Sequence, residues 1–275
     1  MGRSGHGPLP PSCLPRRLWP WPAAASTALL GSARAADYVR AMQDSAATEA
    51  GPPARGRRPL PPVPRVLWAL VAVMGLIEIT LTLADRGVIG APWWRAWAIA
   101  MGGFYDQLFD GEVAPLYPGQ PIAMFFTHAF LHGDIMHFAL NAVVLLAVGK
   151  VNAAIAGHWR LLLLFLICAI GGALCFGLVA HTDSPMVGAS GAVFGFLGFW
   201  KYNEWRLRVL SGLPQRPVWA TVAALSVANV LVWLLMSGLV AWEAHLGGFV
   251  AGWLVGWLWR PVSRPGESLI EPPPG

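Results

Sequence analysis

The chain has 275 residues, of which 56% are hydrophobic and only 12% charged, where a soluble domain carries about 25% charged residues. That deficit excludes an ordinary soluble fold and places the body of the chain in a membrane. The formal net charge of +5 comes with no basic stripe and no aromatic-interleaved sheet segment, so nucleic acid is not expected as a partner. Cys168 and Cys175 lie inside an apolar run and Cys13 stands apart, which supports neither a disulfide framework nor a metal cluster. No cofactor and no metal are expected.

Twelve of the 24 prolines fall in residues 1–65 and five more follow Arg260, so residues 1–65 read as a disordered Pro- and Arg-rich leader and 261–275 as a Pro-rich tail. Residues 18–36 carry a weak likeness to a signal peptide, but Pro20 and Pro22 interrupt its apolar stretch. A flexible leader, or an upstream extension of a chain that starts at Met42, is the simpler reading.

Between the tails, six windows approach the roughly 20 apolar residues that a membrane helix needs. They are 66–84, about 123–149, 158–180, 188–205, 218–238 and 243–260. The expected fold is therefore an all-α integral membrane protein with six transmembrane helices. Arg55, Arg57, Arg58, Arg65, Lys150, Arg160, Lys201, Arg206, Arg208, Arg216, Arg260 and Arg264 flank one side of these spans, against Arg86 and Arg95 on the other. Twelve against two puts both termini in the cytoplasm. The 85–122 connection, rich in Trp, Phe and Tyr, then lies on the outer face. Its composition suits the headgroup level, and a connector without further role fits equally well.

Polar side chains are the informative ones in an apolar bundle, because each is costly unless paired or wet. The second span carries His128, His132, His137 and Asn141; the fourth opens with Gly188-Ala189-Ser190-Gly191; the sixth opens with Glu243-Ala244-His245. All three of these spans begin on the outer side, so Ser190, His245, His137 and Asn141 share a depth, and a spacing of four puts His137 and Asn141 on one helix face. A serine and a histidine form a nucleophile and base only if their helices come close. Gly191 and Gly195 follow the serine, and Gly248 and Gly252 follow the histidine, two G-x-x-x-G faces that permit close packing. The Ser190 amide at a helix N-terminus, with the His137 and Asn141 side chains, can meet a developing oxyanion. Glu78 and Asn229 are also intramembrane polar residues, each expected to pair with a neighbouring helix but with no identifiable partner in the sequence.

Taken together, Gly188-Ala189-Ser190-Gly191, His245 with Gly248 and Gly252, and the stretch His132-Gly133-Asp134-Ile135-Met136-His137-Phe138-Ala139-Leu140-Asn141 resemble the rhomboid family of intramembrane serine proteases over about residues 66–260. The pattern is not the G-x-S-x-G elbow of the α/β-hydrolases, since position 192 is Ala. The resemblance implies a six-helix bundle with a Ser190–His245 dyad that lacks an acidic third member. It also implies an oxyanion hole of His137, Asn141 and the Ser190 amide, Phe194 packed on the histidine, and His132 holding water. Transmembrane protein substrates within a lipid bilayer, unwound near the outer face, agree with the same likeness, and the six-span arrangement without an obvious seventh helix suits a bacterial inner membrane, with an organelle as the alternative. A Trp-Arg pair that some bacterial members carry just ahead of the second span is not matched at Ala123-Met124; Trp94-Arg95 occurs earlier. Two other readings stand beside it. A client-binding relative without activity would be expected to lack the serine or the histidine, and a small transporter would spread polar residues through the membrane depth, as Glu78 does.

Overall fold

In the computed structural model residues 62–235 and 240–259 are described, so the expected tail, nearly all of the expected leader, and the end of the fifth window lie outside the described residues. Among the described residues the regular structure is helical, with no strand. Helix α1 (Arg65–Asp85) starts directly after Pro64, whose fixed φ suits a helix entry, and ends where Gly87 turns the chain at φ +68°. The connection that follows folds into α2 (Trp94–Gly102), α3 (Asp106–Phe109) and α4 (Gln120–Thr127). Then come α5 (Ile135–Ala156), α6 (Arg160–Val179), α7 (Ser190–Leu210), α8 (Arg216–Leu235) and α9 (Trp242–Leu258).

The second window starts later than the apolar pattern suggests. Residues 120–130 form α4 and a 3-10 turn at His128–Phe130, and the spanning helix begins only at Ile135. The break has a local cause: Gly133 and Asp134 interrupt the chain, and Asp134 N-caps α5 by accepting from the His137 amide at 2.9 Å. The helix then runs on to Ala156, where Gly157 at φ +80° stops it.

Four helices, α1, α5, α6 and α8, are each long and apolar enough to cross a membrane. At 21 residues α1 extends about 31 Å at 1.5 Å per residue, the thickness of a bilayer's hydrocarbon core. Helix α7 carries Lys201, Glu204, Arg206 and Arg208, and α9 has 17 residues. These two form the centre of the bundle, packed on one another and against α6, with α5 on the far side of α7 and α1 outside α5. A large core cluster of Leu67, Met74, Leu145, Leu161, Phe165, Phe196 and Phe199 fills the middle.

Glycine decides how close the central helices come. A Cβ at Gly248 would overlap the carbonyl oxygen of Gly191, one at Gly252 that of Gly195, and one at Gly198 that of Phe249. On the other flank of α9, Gly171 and Gly172 of α6 meet Ala251 and the Ala244 carbonyl. Backbone thus lies on backbone, the packing that small residues make possible where lipid offers no hydrophobic drive between helices. In contrast, α8 stands at the edge with only Val218 buried.

The 85–122 connection is more than a tether. Phe104 is fully buried and packs edge-on against Phe125 and Phe176. Its backbone pairs both ways with Met186, at 3.0 and 2.8 Å, just ahead of α7. Trp93 and Trp97 remain exposed, as suits rings at the headgroup level.

Candidate functional site

The site assembles where α7, α9 and α5 share one end of the bundle. The segment entering α7 is fastened on both sides: Met186 pairs with Phe104, and the Gly188 amide donates to the His128 carbonyl at 2.9 Å. Gly188 takes φ +117°, a conformation that only glycine adopts without strain. Its Cα face is filled by neighbours, since a Cβ there would meet Cε1 and Nε2 of His137 at 2.7 Å and Nδ2 of Asn141 at 3.7 Å. Two polar side chains of α5 therefore face the turn that delivers Ser190. Ser190 is the first residue of α7, where the backbone N–H groups have no intrahelical acceptor.

Helix α9 brings its histidine to the same place. Gly191 lies against the Ala244 carbonyl, and the ring of His245 stacks on that of Phe194 at 4.2 Å between centroids and 7° between planes. Phe194 is four residues after Ser190, so both side chains leave the same face of α7, Ser190 one turn nearer the helix start. The stacked ring of His245 thus stands beside the serine's face, half-buried like Ser190 itself. Its Nδ1 lies 2.7 Å from Oδ1 of Asn229 on α8.

The remaining polar groups sort by what they touch. Asn141 is buried and gives one amide hydrogen to the His137 carbonyl at 3.0 Å, leaving the second free. His132 is fully buried, edge-on to His137 at 5.2 Å and to Phe138 at 5.6 Å, and neither of its ring nitrogens has a protein partner. Two orphaned nitrogens in a buried ring call for water. His128 points away, bonded to the Met124 carbonyl at 2.8 Å, and serves the 3-10 turn whose carbonyl holds Gly188. The glycines Gly191, Gly248 and Gly252 all sit in the α7–α9 contact.

A family model for the Rhomboid domain matches residues 119–262, the stretch that contains every one of these groups. The chain belongs to the rhomboid family. Among its relatives, RHOMBOID-like protein 5 of Arabidopsis thaliana is 30% identical over 158 residues, which cover 53% of this chain and 47% of that protein. The mitochondrial Rhomboid protein 1 of Saccharomyces cerevisiae is 36% identical over 137 residues, 47% of this chain and 39% of the relative. Rhomboid protease GluP of Bacillus subtilis is 29% identical over 126 residues, 46% and 24%. The chain spans less than half the length of each of these three relatives.

Two pairings are invisible in the sequence. Glu78, 1% exposed, is met by Arg95 of α2 through paired bonds of 2.9 Å. The same guanidinium bonds Asp85 at 2.6 Å, Thr82 at 3.1 Å and the His132 carbonyl at 2.7 Å. It ties α1, the connection and the entry to α5 into one unit, and the Glu78 hydrogen bond is the chief cause that holds Arg95 above its ordinary pKa. Arg95 thus anchors the connection from a position well ahead of the second span. Asn229 is the second, with His245 as its partner. Elsewhere, on the rim, ligand atoms of Asp106, Asp110 and His181 lie within 4.8 Å of one another and could hold a cation, but they are not among the groups that line the serine. Of the cysteines, Cys168 and Cys175 are free and pack on Gly195 and Gly247, while Cys13 lies outside the described residues.

Proposed function

We propose that the chain is an intramembrane serine endopeptidase that hydrolyses peptide bonds in or near transmembrane helices of membrane-protein substrates, with Ser190 as nucleophile and His245 as general base and acid. The observation that carries this reading is the glycine-to-carbonyl contact of α7 and α9, with the His245 ring stacked on Phe194 one turn from Ser190. Nε2 of His245 takes the hydroxyl proton as the Ser190 oxygen bonds to the scissile carbonyl carbon. The oxygen of that carbonyl, now negative, is met by the Ser190 N–H, the free amide hydrogen of Asn141 and the ring N–H of His137. Collapse breaks the carbon–nitrogen bond, and His245 returns the proton to the leaving amine. Water from the pool that His132 helps to hold then attacks the acyl-enzyme, giving a proton to His245; the acyl carbon–oxygen bond breaks and His245 returns that proton to the Ser190 oxygen, releasing the acid and the free serine.

A substrate helix shields its own peptide bonds, so cleavage requires local unwinding, favoured by Gly, Pro or small polar residues. The bias of Lys and Arg supports placing the Ser190 end on the outer face with both termini cytoplasmic, and the six-helix arrangement suits a bacterial inner membrane. The transport alternative rested on Glu78, and that carboxylate is taken up by Arg95. The client-binding alternative lacks its premise, since serine and histidine are both present.

The test is cleavage of a model membrane substrate in detergent, with fluorophosphonate labelling of the nucleophile. Wild type should label and cleave, Ser190→Ala should do neither, and His245→Ala should lose cleavage. A folded wild type that neither labels nor cleaves overturns the reading.

A further inference from the structure

Helix α8 is long and apolar enough to cross a membrane, yet it buries almost nothing: Val227, Val230 and Leu231 face outward, and Ser226 is satisfied by the Val222 carbonyl of its own helix at 3.0 Å. Against that background Asn229 is an anomaly. An amide in a membrane helix is costly unless it is paired, and this one is paired with the ring on which the proposed chemistry depends, Oδ1 to Nδ1 of His245 at 2.7 Å. Among the described residues this is the only side-chain hydrogen bond between α8 and α9.

The chemistry of that contact is directional. An amide oxygen can only accept, so Nδ1 must carry the hydrogen and Nε2 must carry the lone pair. A neutral ring in that tautomer is the form that can remove a proton from serine. When Nε2 becomes protonated, Nδ1–H still finds the same acceptor, so the bond persists through both proton transfers. Stacking on Phe194 fixes the plane of the ring; it does not fix the ring's rotation within that plane or choose the tautomer. Asn229 supplies both.

We infer that Asn229 is a positioning residue for His245, a neutral third member that selects the Nδ1–H tautomer and makes the site a Ser190–His245–Asn229 relay spread over three helices. This rests on the protease reading and departs from the two-membered dyad that the family likeness implies. It also makes the base dependent on the placement of α8.

Two substitutions separate positioning from packing. Asn229→Leu keeps the volume and removes the acceptor; Asn229→Asp keeps the shape and an acceptor oxygen. Three readouts apply to each: kcat and KM on the model substrate, the second-order rate of fluorophosphonate labelling, and the 15N signals of His245, which report its tautomer. Asn229→Leu should lower kcat and labelling about tenfold to a hundredfold, part of the 10²–10⁴-fold that general acid–base catalysis contributes. KM should stay within about twofold, and the His245 signals should lose their Nδ1–H pattern. Asn229→Asp should recover most of the rate. Equal loss in both variants with a lowered unfolding temperature, or wild-type labelling in Asn229→Leu, overturns the inference. A wild type that neither labels nor cleaves would sink the protease reading instead; the His245 tautomer in wild type against Asn229→Leu would still decide the role of Asn229.

Discussion

Gly252 lies about two turns past His245 on α9 and touches none of the proposed reacting groups, so Gly252→Ala tests whether helix spacing alone sets the chemistry. The added methyl would overlap the Gly195 carbonyl oxygen and stand 2.6 Å from its carbon and 2.9 Å from its Cα. Non-bonded carbons are comfortable at about 3.5–4.0 Å, so α7 and α9 must separate by roughly 1 Å. Backbone atoms cannot rotate away as a long side chain would. Overpacking of this kind costs about 1–3 kcal/mol, and the usual helical gain of Ala over Gly, up to about 1 kcal/mol, offsets little because a membrane helix stays helical when its bundle comes apart. The unfolding midpoint should fall by about 2–4 °C for each kcal/mol lost. Activity should suffer more: the approach of His245 to the Ser190 face depends on this helix spacing, and a misplacement of about 1 Å costs about a hundredfold. The assay is paired fluorophosphonate labelling and substrate cleavage beside thermal unfolding in the same detergent. Gly133→Ala is the control, since a Cβ there meets nothing within 4 Å, and it should leave all three readings unchanged. A Gly252→Ala protein that labels and cleaves at the wild-type rate with an unchanged midpoint would refute the backbone contact on which the reading depends.

Arg95→Ala strands a carboxylate that is 1% exposed, and removing one partner of a buried pair costs about 3–5 kcal/mol. Pairing it with Glu78→Leu should recover part of that loss in a double-mutant cycle of unfolding, whereas simple additivity would deny the coupling. Asp134→Ala deletes the cap on the turn that carries His137 and should cost about 1 kcal/mol with a modest drop in cleavage; an unchanged unfolding midpoint argues against the cap. Gly188→Ala combines a backbone at φ +117° with a methyl 2.7 Å from the His137 ring. It should cost about 1–3 kcal/mol and abolish labelling in protein that still folds, and full labelling would show that His137 does not face this turn.

What the sequence displays and what it hides follow one physical division. Ser190 with Gly191 and Gly195, and His245 with Gly248 and Gly252, are local patterns: spacing along a single helix fixes which face they share, and small residues beside a polar one mark where that face meets another backbone. Hydropathy does less well. It runs on from Ile122 to Val148 apart from a few polar residues, so the second window opens at about 123, inside α4; the break lies in the conformation of Gly133-Asp134 and the cap it forms. The same measure ranks α8 beside the core helices although it faces outward almost throughout, because Leu and Val are equally at home against lipid and against protein.

Pairings between helices are beyond any local pattern. Glu78 and Arg95 are 17 positions apart, and Asn229 and His245 are 16 apart, distances that no helical period connects. Each is nonetheless marked in the sequence by its cost, as an ionisable or amide group where hydrocarbon surrounds it. That cost announces that a partner exists without naming it. The partner emerges only from the fold, and in both cases it lies at the end of the bundle where Ser190 sits: Arg95 grips the carbonyl of His132 as well as Glu78, and Asn229 grips the ring of His245. The two polar residues without identifiable function in the sequence therefore converge on the shell around the site, one steadying the entry to α5 and the other the imidazole itself.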